Sequence, residues 1–84
     1  PQEDMVTIFV SIGKNRKVFP KDLIRIFKEK TNIQDSDIGT VRVLDNYSFI
    51  NVSRTIAQQV IDSMDGMDVR GRTITVNFAK KKNT

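Results

Sequence analysis

The chain has 84 residues and a formal net charge of +4, and it contains no cysteine and no histidine. This length fits one small domain with a thin core. The composition excludes disulfides, thiolate chemistry, histidine general bases and the usual zinc sites. No segment approaches the roughly 20 apolar residues of a membrane span. The positive charge favours polyanionic partners such as RNA, DNA or an acidic membrane.

The N-terminal half predicts a strand, a helix and a second strand. Residues 6–12 alternate β-branched aliphatic side chains with others, which is typical of a strand with one buried face. Pro20 suits the first turn of a helix that should end near Lys30. The apolar stripe of this helix consists of Leu23, Ile24, Ile26 and Phe27. A short second strand is predicted over residues 40–44.

The C-terminal half predicts a hairpin, a helix and a last strand. Residues 45–46 are a turn signal between the second strand and a third at residues 47–52. Ser53 is a candidate N-cap for a helix that the Asp-Gly pair at residues 65–66 should end. The apolar stripe of this helix consists of Ile56, Ala57, Val60, Ile61 and Met64. A last strand is predicted over residues 73–78. Its inward side chains should be Ile74, Val76 and Phe78.

These elements predict one α+β domain that spans residues 1–84. The order strand, helix, strand, strand, helix, strand is typical of ferredoxin-like sandwiches. Because each helix has one apolar stripe, both helices should cover one face of a four-stranded antiparallel sheet of order 4-1-3-2. We expect an ordered core of about residues 5–79 with fraying at both ends. The chain starts with Pro1 rather than Met, so we interpret it as a fragment of a longer polypeptide.

Three aromatic residues occupy the other face of the predicted sheet. Phe9 alternates with the aliphatic residues of the first strand, and Tyr47 and Phe49 do the same in the third. Exposed rings on a sheet in a basic domain suit stacking on nucleic-acid bases. Arg42 alternates onto the same face. We call Phe9, Tyr47 and Phe49 the aromatic cluster.

The predicted topology also brings positive charges together. The end of the first strand, the hairpin turn and the start of the last strand should lie at one end of the sheet. We call the five cations expected there the basic rim, and they are Lys14, Arg16, Lys17, Arg70 and Arg72. A basic tail should leave at the opposite end and offer sequence-independent phosphate contacts through Lys80, Lys81 and Lys82.

Two segments resemble the signatures of the RNA recognition motif. Residues 8–13 resemble the first signature, a hydrophobic strand with an aromatic residue in second place. Residues 45–52 resemble the second signature, and the aromatic cluster falls on the stacking positions of the two. The second signature usually opens with Lys or Arg and then Gly, whereas this chain has Asp45 and Asn46 there.

A closer resemblance accounts for that departure. From about residue 6 to residue 80, the chain is similar to the C-terminal RNA-binding domain of bacterial DEAD-box RNA helicases of the DbpA and CsdA type. The shared features are Gly13–Lys14, Ile38–Gly39, Asp45–Asn46 before residues 48–50, and Arg70–Gly71–Arg72.

The resemblance implies an RNA-docking domain tethered to an ATP-driven helicase core. Such a domain binds structured RNA, often a ribosomal hairpin or loop, which implies a cytoplasmic role in ribosome biogenesis. The ATP-binding motifs of the core are absent from this sequence, so this chain should not hydrolyse ATP and should need no cofactor. ATP and magnesium would belong to the parent core, and any dimer would form through a separate region.

The candidate RNA-binding residues are the aromatic cluster, the basic rim, Arg42 and the basic tail. No residue is a candidate for catalysis or metal binding. Three alternatives stay open: the loop after the first strand is merely solvated, Arg70 and Arg72 pair with Asp65 or Asp68, or the exposed rings hold a protein partner or form a dimer. The choice between the sheet face and the basic rim as the main RNA contact also stays open.

Overall fold

The computed structural model describes residues 4–80. Its strands are β1 (Met5–Val10), β2 (Ile38–Val43), β3 (Ser48–Ser53), β4 (Asp68–Val69), β5 (Arg72–Thr73) and β6 (Val76–Phe78). Its helices are α1 (Pro20–Lys30) and α2 (Arg54–Met64), and single 3-10 turns lie at Lys14–Arg16 and Asp35–Asp37.

Four strands form an antiparallel sheet in the order β2-β3-β1-β6, and β4 pairs with β5 in a separate small hairpin. Ile8 pairs with Ile50 and Phe9 pairs with Phe49 across the central strands β1 and β3. The predicted α+β ferredoxin-like architecture and strand order are therefore confirmed, with β6 as the fourth strand.

The core lies between the helices and one face of the sheet, as the alternation predicts. Its fully enclosed side chains include Ile8, Val10, Leu23, Phe27, Ile50, Val52, Met64 and Val76. Each such side chain contributes about 1.5–3 kcal/mol of transfer free energy when it is buried. Ser48 is also buried, and its hydroxyl donates to the Ile12 carbonyl at 2.6 Å. That bond ties the start of β3 to the chain that leaves β1.

The last strand is shorter than the sequence predicts. Two side chains capture the backbone donors where it breaks, because the Thr75 N–H donates to the Ser11 hydroxyl at 2.8 Å and the Val76 N–H donates to the Asp65 carboxylate at 2.9 Å. Thr73, before the break, pairs with Asp68 in the small hairpin. A continuous strand over residues 73–78 was therefore a wrong prediction.

Two apolar side chains lie elsewhere than predicted. Phe78 is 42% exposed, because β6 pairs with β1 on one side only and Phe78 ends this edge strand. Ile24 is only partly buried and is not packed against the core. Ile24 lies at the edge of the apolar stripe of α1, and the core contacts of this helix are made by Leu23, Ile26 and Phe27.

The helix ends follow the predicted residues, with one difference in bonding. Pro20 opens α1, and α2 ends at Met64 before Gly66, whose φ of +83° favours glycine. Ser53 occupies the N-cap position of α2, but its hydroxyl donates to the Asp37 carboxylate at 3.0 Å instead of accepting from the helix.

Candidate nucleic-acid interface

The aromatic cluster forms one patch on the open face of the sheet. The ring centroids of Phe9 and Tyr47 are 5.8 Å apart, those of Phe9 and Phe49 are 6.0 Å apart, and those of Tyr47 and Phe49 are 5.6 Å apart. Two of the three contacts are edge-on, an arrangement that aromatic quadrupoles favour. Tyr47 is 40% exposed, and the other two rings are half-buried. A flat ligand would therefore meet Tyr47 first.

Arg42 lies on the same face as the aromatic cluster, as predicted. It pairs with Phe49 in the β2–β3 ladder, and its guanidinium carbon is 5.9 Å from the centroid of the Phe49 ring. This is within cation–π range. The pairing of β2 with β3 shifts register between Ile38 and Val41, before Arg42.

The loop after β1, which carries Lys14, Arg16 and Lys17 of the basic rim, is docked on the β2–β3 turn. The Asn15 N–H donates to the Asp45 carbonyl at 2.9 Å, and the Asn15 side-chain amide donates to Asn46 Oδ1 at 2.6 Å. A Cβ on Gly13 would lie 2.8 Å from the Asp45 carbonyl oxygen, so only glycine allows this close approach. The glycine and the Asp-Asn turn thus belong to one docking contact, and that contact brings the loop beside Tyr47.

Two residues of the basic rim have left-handed backbone conformations. Lys17 has a φ of 61° and Arg70 a φ of 52°, and they are the only non-glycine residues of the described range with positive φ. The Arg70 guanidinium donates to the Lys17 carbonyl at 2.8 Å, and Arg16 donates to the Arg70 carbonyl at 3.4 Å. Arg70 thereby joins the β4–β5 hairpin to the loop after β1.

Asp22 completes this junction. Its carboxylate accepts the Phe19 N–H at 2.9 Å and lies 3.3 Å from the Arg25 guanidinium and 3.8 Å from that of Arg70. The hydrogen bond from Phe19 lowers the pKa of Asp22, and the charges of Arg25 and Arg70 lower it further. Arg70 is thus paired with Asp22 and not, as one alternative held, with Asp65 or Asp68.

The predicted convergence of the basic rim is confirmed. Arg72 donates from Nε to the Ser11 carbonyl at 2.8 Å, which places it at the end of β1 with the other four cations. Lys14 and Lys17 are exposed, and their ammonium groups have no protein partner within residues 4–80. These two side chains are the cations most available to an external anion.

The other end of the sheet carries Lys80. The Ala79 N–H donates to the Thr7 carbonyl at 2.9 Å, which places Lys80 beside the start of β1 and away from the basic rim. A shallow trough of about 930 Å³ lies there, and Phe49, Phe78 and Lys80 are among its lining residues. Lys81 and Lys82 lie outside the described residues.

Sequence reasoning missed one aromatic residue next to the basic rim. Phe19 is 48% exposed and is the N-cap residue of α1. The sequence does show two apolar residues, Val18 and Phe19, between the cationic loop and Pro20. In the structure Val18 is fully buried and Phe19 is exposed. The sequence alone does not indicate which of these two residues faces the core.

Other classes of site find no support in the described part of the chain. Between residues 4 and 80, no group of three or more acidic, cysteine or histidine side chains could hold a metal ion. Over the same range, no helix is both long and apolar enough to cross a membrane.

Curated relatives match nearly the full length of this chain. A 78-residue match is 42% identical to an uncharacterized protein of Treponema pallidum (strain Nichols) and covers 93% of this chain and 34% of that protein. The ATP-dependent RNA helicases DbpA of Bacillus subtilis and Escherichia coli are 24% and 23% identical over 79 residues, and the matches cover 94% of this chain. The chain spans only 16% and 17% of those helicases.

Solved structures and a family model complete the comparison. The Caenorhabditis elegans NONO-1 homodimer matches with a TM-score of 0.73 and 23% identity, covering 89% of this chain and 29% of that chain. The RNA binding protein PG1 matches with a TM-score of 0.73 and 16% identity, covering 94% and 99%. At these identities the structures show a shared fold. The model of the DbpA RNA binding domain matches residues 7–78, and this chain belongs to that family.

Proposed function

We propose that this domain binds structured RNA through its basic rim and aromatic cluster, and that it docks an ATP-dependent DEAD-box helicase core onto that RNA. One observation carries the proposal. The loop of exposed cations and the ring patch adjoin, because Asn15 in the loop bonds to Asn46, the residue before Tyr47. Phosphate neutralisation and base stacking are therefore available to one ligand at one end of the sheet.

The charges suggest how RNA is arranged on this surface. Lys14 and Lys17 point to solvent, whereas the exposed Asp45 carboxylate on the neighbouring turn repels phosphate. We place the phosphates over the two lysines and an unpaired base on Tyr47. Stacking on an aromatic ring does not depend on which base it is. Arg42 can add a cation on the open face beyond Phe49, and Lys80 to Lys82 are outer phosphate contacts in this arrangement.

The helicase part of the proposal is supported by the relatives. Two of them are named ATP-dependent RNA helicases, and this chain matches about a sixth of each. In the proposed protein, ATP and Mg²⁺ are bound by a core in the same polypeptide, and this domain supplies RNA affinity without catalysis. A ribosomal RNA hairpin, a cytoplasmic role in ribosome biogenesis and a dimer through another region belong to the same proposal.

The basic rim is tested by neutralising its two free lysines. K14Q/K17Q should weaken RNA binding and reduce the slope of log Kd against log salt by about 1.4, because each phosphate contact to single-stranded RNA contributes about 0.7. The matched control is K28Q/K30Q, which removes the same charge from the far end of α1, where Lys28 pairs with Asp35. Equal slopes for the two variants would contradict a role for the basic rim.

The aromatic cluster is tested by truncation. Y47A should weaken binding of a hairpin with an unpaired loop by about 1–3 kcal/mol without changing the salt slope, because a stacked base is lost and a phosphate contact is not. Fluorescence anisotropy at three salt concentrations measures both quantities. Unchanged affinity in a folded variant would remove the sheet from the proposal. Light scattering would then test the competing function, a protein-binding or self-associating ring patch.

A further inference from the structure

We infer that Phe19 is a second stacking site, which receives an unpaired RNA base beside the basic rim and apart from the aromatic cluster. This inference rests on the proposed function and adds to it the residue that gives the rim contact with bases. Phe19 exposes 48% of its surface, more than Tyr47 at 40%. Within residues 4–80 it makes no contact with another ring.

The position of Phe19 is fixed by the same bonds that hold the basic rim. The Asp22 carboxylate accepts the Phe19 N–H at 2.9 Å and lies 3.8 Å from the Arg70 guanidinium. Arg70 in turn holds the Lys17 carbonyl at 2.8 Å. The backbone of Phe19 is thus held in place two residues after Lys17. Val18, which lies between them, is fully buried.

The Phe19 ring does not belong to the hydrophobic core of the described residues. The core contact of this segment is made by Val18, and the N-terminus of α1 is closed by the Asp22 carboxylate and by Pro20, which lacks an N–H. An apolar side chain left in water costs free energy. A ring beside several cations suits a flat group carried on a polyanion, and an unpaired base of an RNA strand meets both conditions.

The loop from Lys14 to Lys17 is therefore anchored close to two aromatic residues. Asn15 bonds to the turn before Tyr47. Arg70 bonds to the Lys17 carbonyl and lies 3.8 Å from the Asp22 carboxylate, which accepts the Phe19 N–H. RNA whose phosphates follow this loop can place one unpaired base on each ring. A regular duplex cannot do so, because its bases stay stacked on one another. The two rings thus favour a loop or bulge over a continuous helix.

The test starts from RNA chosen by the domain itself. A hairpin is selected on the wild-type domain from a pool with a randomised loop, and 2-aminopurine is placed at successive loop positions. F19A should weaken binding of that hairpin about fivefold to a hundredfold and restore the fluorescence of one stacked 2-aminopurine. F19Y should keep both wild-type values, because it retains a ring. The salt slope should stay unchanged in both variants, because no phosphate contact is lost.

F78A is the matched control, since Phe78 is a phenylalanine 42% exposed, against 48% for Phe19, and lies at the far end of the sheet. If F19A binds the hairpin as F78A does, this inference is overturned while the proposed function stands. If F19A loses affinity together with part of the salt slope, the loop has moved and the stacking assignment is also overturned. If no hairpin is enriched over a scrambled pool, the proposed function itself fails, and the inference with it.

Discussion

Arg70 shows how a single side chain compensates an unfavourable backbone conformation. Both residues of the β4–β5 turn have positive φ, 52° at Arg70 and 78° at Gly71, and such turns favour asparagine over arginine at the first position. An arginine side chain is long enough to contact both the Lys17 carbonyl and the Asp22 carboxylate, which an asparagine is too short to do. We therefore regard Arg70 as a residue that positions the basic rim.

Replacing Arg70 with asparagine separates these two effects. Asparagine suits the left-handed conformation, so the hairpin should persist in R70N while the loop after β1 loses a charge-assisted hydrogen bond worth about 1 kcal/mol at this partly exposed site. Amide exchange at Lys17 and Phe19 should accelerate about fivefold. R70G, which also accepts this φ, should behave alike. Wild-type exchange rates in both variants would show that the Arg70 contacts with Lys17 and Asp22 do not hold the loop in place.

Residue-level prediction from sequence succeeded in the central strands, where alternation decides which face a side chain occupies, but it failed for Phe78 in the edge strand. Phe9, Tyr47 and Phe49 were placed on the open face because a strand repeats every two residues. Phe19 and the bonding of Arg70 escaped prediction, because both depend on how a loop meets a hairpin about 50 residues away along the chain. No periodicity connects such positions.

At the level of elements, the two helices and the central strands follow their apolar patterns closely. The break between β5 and β6 does not, because it depends on the Ser11 and Asp65 side chains that capture backbone N–H groups. Those acceptors lie in other elements, so residues 73–78 read alone favour one strand. The same limit applies to Ser53, whose hydroxyl is engaged by Asp37.

The start of α1 should make stability depend on acid pH. The pKa of Asp22 is lowered in the folded chain, so this group stabilises the fold above its unfolded pKa, and that contribution is lost as the pH falls through the folded pKa. D22N should therefore be less stable near neutral pH and show a shallower decline of Tm in acid. Thermal unfolding at several acidic pH values measures this decline. Parallel curves for the two proteins would contradict the role assigned to Asp22.

At the scale of the whole molecule, the proposed function depends on a sheet with one covered face. The helices cover the aliphatic side of the four strands, so the other side stays open, and the antiparallel order brings the basic rim together at one end. The strand order and this convergence were predictable, since both follow from the element sequence. How RNA contact divides between the sheet face and the basic rim was not predictable. It depends on how exposed each ring is and on which cations are already bonded within the protein.

The most direct test of the central claim is an amide-shift NMR titration of this domain with the selected hairpin at two salt concentrations. We expect salt-sensitive shifts at residues 13–17 and 70–72, together with shifts at Tyr47 and Phe19. Shifts confined to the groove between the helices, near Glu29 and Gln59, would contradict the account. A well-dispersed spectrum that RNA leaves unchanged at either salt concentration would contradict it equally.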